Sequence, residues 1–98
     1  MNRDQTNATK NKVKVKVRFL GILQKYSDGQ REIEQYVSSE PGSAAEQIIE
    51  HFNLPWNNDL EKMARIFINN NHLSAIMEKG DLLKDGDVIA FIQMSGGG

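Results

Sequence analysis

The chain of 98 residues has no cysteine. That single absence excludes a disulfide framework, a thiolate nucleophile and a thiolate metal site. Histidine is scarce as well. His51 and His72 stand alone, without partners at ligand spacing, so both are read as surface residues and no metal is expected. No apolar run approaches the length that spans a bilayer and no cationic-apolar leader opens the chain, so no membrane partner and a cytoplasmic location are expected. An excess of one charge is also missing. The formal net charge is -1, which argues against a general polyanion binder. A domain of this size buries only roughly 60 to 65% of its unfolded surface, which leaves no room for a deep active site beside a core.

Charge is present but unevenly placed. Lys10, Lys12, Lys14, Lys16 and Arg18 follow one another with no intervening acid, whereas residues 28–50 hold six acids against Arg31 alone. Such asymmetry suits partners of defined polarity. No aromatic alternates with the basic stripe, so no nucleic-acid partner is expected; a solvated strand face that steers an acidic partner fits better.

Along the chain, residues 1–12 are polar and read as a disordered tail. Val13, Val15, Val17 and Phe19 then alternate with Lys14, Lys16 and Arg18, a strand with one buried and one solvated face. Ile22, Leu23 and Tyr26, between turn formers, suggest a helical turn. Arg31 to Val37 reads as a charged edge strand, antiparallel to the first. Ser43 and Glu46 form a capping box for a helix that carries Ala45, Ile48, Ile49 and Phe52 on one stripe and ends near Asn53 and Pro55. A third strand places Ala64, Ile66 and Ile68 inward and Arg65, Phe67 and Asn69 outward. Leu73 to Met77 suggests a short returning strand and Asp81 to Lys84 a single helical turn. The segment from Val88 to Ile92 is apolar on both faces, as a central strand must be. Val88, Ala90 and Ile92 share one side, and Ile89 and Phe91 take the core side. The order predicts an α+β domain over residues 13–93, with a mixed sheet of four to five strands and one main helix on one face. Residues 94–98 form a flexible tail.

Leu83-Lys84-Asp85-Gly86-Asp87-Val88-Ile89-Ala90-Phe91-Ile92, followed by a terminal Gly97-Gly98, resembles the sulfur-carrier family that includes the small subunit of molybdopterin synthase and the thiamine-pathway carrier. The resemblance covers residues 13–98 and implies the ubiquitin-like β-grasp fold, with the C-terminal strand central. Two departures stand out: Gln93-Met94 replaces a Pro-Pro pair, and Gly96 precedes the terminal pair.

The resemblance further implies a carrier or non-catalytic subunit, not an enzyme. The Gly98 carboxylate would be adenylated with ATP on an E1-like activating enzyme; a persulfide or sulfide would then displace AMP and leave a thiocarboxylate. That group would pass its sulfur to an acceptor such as a molybdopterin synthase large subunit, in molybdopterin, thiamine or another thio-metabolite pathway. The carrier itself would bind no cofactor and would be monomeric when free. Gly97 and Gly96 would let the tail thread a narrow channel, and Phe67, Ile92 and Met94 would contact the partner. For Phe67, a small second core with Trp56 is the competing reading. A ubiquitin-like modifier joined through Gly98 to target lysines is the alternative function.

Overall fold

The computed structural model describes residues 12–56 and 64–93. The elements are β1 (Lys12–Leu20), a 3-10 turn (Gly21–Ser27), β2 (Glu32–Ser38), α1 (Pro41–His51), β3 (Ala64–Ile68), β4 (Asn71–His72), α2 (Leu73–Lys79) and β5 (Val88–Gln93). They form one five-stranded sheet in the order β2-β1-β5-β3-β4. β5 runs parallel to β1, and the other neighbours are antiparallel. This is the β-grasp arrangement. The two-sided apolar character of β5 is explained by its position, hydrogen-bonded to a strand on each side and packed on one face against the core.

The core lies between sheet and helices. Val15, Val17 and Phe19 of β1, Ile89 and Phe91 of β5 and Ile68 of β3 meet Ala44 and Ile48 of α1. Three aromatic contacts set its centre. Phe19 packs edge-on against Phe52 at 5.0 Å and obliquely against Phe91 at 5.4 Å, and Trp56 meets Phe91 edge-on at 5.9 Å.

Three local expectations are corrected. α1 begins at Pro41 with Glu40 as N-cap and no side-chain cap bond, so the Ser43–Glu46 capping box does not form. Proline is suited to the first helical position because its missing N–H would be unsatisfied there anyway. Ser43 Oγ instead donates to Glu40 Oε1 at 3.5 Å. The returning strand is only Asn71–His72, and Leu73 to Lys79 is helical. Leu73 and Ile76, one helical turn apart, both pack on the core, and Gly80 closes α2 at φ 75°. Residues 81–84 are irregular, not a helical turn. The Leu83 N–H donates to the Ser39 carbonyl at 2.7 Å, which draws this leucine into the core at 4% exposure.

The turn after Leu83 fastens the start of β5 to the strands beside it. Asp85 Oδ1 accepts from the Lys14 N–H at 2.8 Å, and the Gly86 N–H donates to the Lys14 carbonyl at 2.9 Å. Asp87 Oδ2 accepts from the Lys84 N–H at 2.9 Å, and its Oδ1 accepts from the Asn69 side-chain amide at 3.0 Å. Asn69 Oδ1 in turn accepts from the Val88 N–H at 3.0 Å. Both carboxylates are therefore engaged in holding strand register, as turn chemistry predicts. Asp87→Ala is expected to cost about 1–3 kcal/mol, since two donors lose a charged acceptor. Urea unfolding followed by the fluorescence of Trp56, the single tryptophan, measures this cost.

Candidate functional site

β1 alternates so that its valines and Phe19 enter the core while Lys14, Lys16, Arg18 and Leu20 stand on the sheet face away from the helices. Register carries this face across the sheet. Arg18 lies beside Ala90 and Leu20 beside Ile92, and Ala90 and Ile92 lie beside Phe67 and Arg65. The result is a shallow groove of about 400 Å³. Leu20, Phe67, Val88, Ala90 and Ile92 give it an apolar lining, with Arg18, Asn69 and Asn70 also bordering it. The apolar lining residues are half-buried without being covered.

Phe67 and Ile92, assigned to the partner face from their strand parity, share this groove. Phe67 is half-buried, its ring 4.5 Å from that of His72. Trp56 packs on Phe91 in the core, on the other side of the sheet, so the two aromatics do not form a second small core. His51 contacts the ring of Phe52 at 4.7 Å, whereas His72 contacts that of Phe67. Among the described residues, no three His, Asp or Glu side chains are grouped to hold a metal.

The same end of the sheet is where the chain leaves it. Ile92 pairs with Leu20, and Gln93 with Ala64, so β5 ends between the last residue of β1 and the first of β3. Gly21, at φ 67°, turns the chain away there; a Cβ on it would sit 3.8 Å from the Gln93 carbonyl oxygen. Gln93 continues β5 where a proline would remove a backbone donor. Met94, Gly96, Gly97 and Gly98 lie outside the described residues.

Charge on this face is partly compensated. Arg18 Nε contacts Glu32 Oε1 at 2.9 Å, and Lys14 Nζ lies 3.7 Å from Glu34 Oε1. The basic stripe is thus solvated as expected, but bordered on the β2 side by acids that the hairpin register brings opposite it. Leu20, Val88 and Ala90 complete the groove and were not singled out as binding residues by sequence reasoning. The available signal was parity: Leu20 continues the Lys14, Lys16, Arg18 series, and Val88 and Ala90 share the side of Ile92.

No curated protein matches the chain by sequence. Solved structures share its fold. The small archaeal modifier protein SAMP1 of Methanosarcina acetivorans superposes with a TM-score of 0.64 at 20% identity, covering 89% of this chain and 98% of that one. CysO of Mycobacterium tuberculosis, described as an antigen, gives 0.61 at 15% identity over 83% and 99% of the two chains. A chain of the BexX/CysO complex of Amycolatopsis orientalis gives 0.58 at 17% identity over 86% and 99%. The profile of the ThiS family matches residues 17–98, from the middle of β1 to the last residue. By that match, which takes in most of the sheet and both helices, the chain belongs to the ThiS family.

Proposed function

We propose that this protein is a sulfur carrier that works through the carboxylate of Gly98. The observation that carries the reading is the conjunction of a family match reaching Gly98 with a central strand whose end lies beside an uncovered apolar groove. Five residues follow Gln93 and, extended, reach about 17 Å, enough to enter a partner's active site while the groove rests on the partner's surface. Glycine suits such a tail because it admits close backbone approach on all sides.

In the proposed reaction a Gly98 carboxylate oxygen attacks the α-phosphorus of ATP on an E1-like adenylating enzyme, and pyrophosphate leaves. Hydrosulfide, or an equivalent sulfur donor, then adds to the carbonyl carbon and AMP departs, leaving a thiocarboxylate. An acceptor enzyme, such as a molybdopterin synthase large subunit or its thiamine-pathway counterpart, takes the sulfur. ATP belongs to the partner, and the chain acts as substrate and not as catalyst. Mass spectrometry of the protein recovered from its own cells tests this. An oxygen-to-sulfur mass increase at Gly98 is expected; an unmodified end that also resists adenylation overturns the reading.

The likeness in fold to SAMP1, a small archaeal modifier protein, supports one second reading, attachment of Gly98 to target lysines. Adducts on lysines in the same spectra would favour it over sulfur transfer.

Docking through the groove predicts a separate effect. Phe67→Asp places a charge on the apolar floor while leaving the core on the other side of the sheet untouched. It is expected to raise the KM of adenylation at least about tenfold, with the unfolding midpoint changed little. Unchanged adenylation kinetics in the folded variant would remove Phe67 from the docking surface.

A further inference from the structure

β1 and β5 run side by side, and how β1 ends decides how free the chain is after β5. The two strands are parallel with a constant offset, from Lys16 beside Val88 to Leu20 beside Ile92. Carried further, that offset puts Gly21 beside Gln93 and Ile22 beside Met94. The hydrogen bonds follow the same rule. The Lys16 N–H donates to the Asp87 carbonyl at 2.8 Å, and a parallel ladder repeats every second residue along each strand. An extended β1 would therefore give the Ile22 N–H to the Gln93 carbonyl and take the Ser95 N–H onto the Ile22 carbonyl. The tail would then be laced to the sheet as far as Ser95, with only Gly96, Gly97 and Gly98 beyond it.

Gly21 stops this. Leu20 is still extended, at φ -113° and ψ 153°, whereas Gly21 turns left-handed at φ 67° and opens the 3-10 turn. That turn is fastened further on by Leu23, buried in the core, and by the buried Ser27, whose hydroxyl lies 3.0 Å from the Gln24 carbonyl and 2.6 Å from that of Gln30. Space is not what position 21 demands, since a Cβ there would meet the Gln93 carbonyl oxygen at an ordinary 3.8 Å. The demand is on φ. L-residues disfavour the left-handed region, β-branched ones above all, while asparagine tolerates it.

We infer that Gly21 is a positioning residue for the reaction at Gly98: its left-handed turn ends β1 level with the end of β5 and so leaves the tail unpaired from its first residue. The inference rests on the carrier reading for the reaction itself; the release of the tail does not depend on it. A tail paired along one flank carries a second strand with it and has fewer backbone groups left for a partner to grip. A residue at position 21 that prefers extended backbone lengthens β1 at the expense of the turn, and the tail is captured.

The test compares full-length Gly21→Val, which favours extended backbone, with Gly21→Asn, which keeps the left-handed turn. Amide hydrogen exchange followed by NMR reads the tail in the free protein. The Ser95 N–H is expected to exchange at least about tenfold more slowly in Gly21→Val than in wild type, and within about twofold of wild type in Gly21→Asn. Adenylation by the activating enzyme of the same genome is the second readout. There kcat is expected to fall about tenfold in Gly21→Val, with KM unchanged because the groove is intact, and to stay within about twofold in Gly21→Asn. Gly21→Ala, milder in the same direction, replaces Gly21→Val if that variant does not fold. Val37→Ala, a core change on β2, controls for lost stability and is expected to leave kcat unchanged. Wild-type exchange at Ser95 in Gly21→Val overturns the inference, as does a Gly21→Asn protein as slow as Gly21→Val or an equal loss of kcat in Val37→Ala. The carrier reading fails separately: a wild type that is never adenylated rejects it, while Ser95 exchange still decides whether Gly21 frees the tail.

Discussion

Deleting Gly98 is expected to reduce adenylation by roughly a hundredfold or more while leaving the unfolding midpoint unchanged. The truncated chain still ends in two glycines, Gly96 and Gly97, so a terminal glycine pair is retained and only reach is altered. The last residue of the sheet is Gln93, held between Ala64 and the start of the 3-10 turn. With the groove seated on the partner, removing one residue withdraws the carboxylate by about 3.4 Å, the rise of one extended residue. A nucleophile displaced by that much no longer approaches the α-phosphorus. Single-turnover adenylation, measured as pyrophosphate release, gives the rate. Full activity in the truncated chain would show that the tail slides to fit and that Gly98 has no special standing; an added alanine after Gly98 tests overlength in the same assay.

The second large effect is on stability. Phe91→Ala is expected to destabilise the domain by about 3–5 kcal/mol, the usual range for removing a buried aromatic. Phe91 is fully buried on the central strand and touches both Phe19 and Trp56. The cavity would open between Phe19 and Trp56, close to Phe52 at the end of α1. A small domain has about 5–15 kcal/mol in total, so the variant stands near the edge of unfolding at ordinary temperature. Denaturant midpoints read from Trp56 fluorescence measure the loss, and the folded baseline should shift as well, because the indole loses the ring it packs against. A cost below about 1 kcal/mol would mean that the aromatic cluster collapses freely around the gap.

How much of this was legible in advance differs by element. Period-2 alternation declared β1 and β3, because a strand with one wet face leaves that signature in side chains alone. The uninterrupted apolar run of β5 declared a strand with neighbours on both sides. α2 leaves no such mark: seven residues from Leu73 to Lys79 are too few for a clear helical period, and its apolar residues suit a short strand equally well. α1 starts two residues before the capping pattern of Ser43 and Glu46 because Pro41 takes the first turn and is buried there, and that burial is not written in the local pattern.

The candidate site divides along the same line. Local sequence was enough to put Phe67 and Ile92 on the outer side of their strands and to make Asp85 to Asp87 a tight turn into a final strand. Both follow from local geometry, the two-residue repeat of a strand and the conformational demands of a turn. That β5 inserts between β1 and β3 is settled by long-range packing. The pairing of β1 with β2 brings Glu32 against Arg18, and the insertion of β5 joins Leu20, Phe67, Val88, Ala90 and Ile92 into one groove. It also gives Asp85 and Asp87 partners far away in the chain, and so makes the turn a register pin. Strand order and register arise from the shared burial of side chains on distant segments, and no window of sequence contains both partners of such a contact.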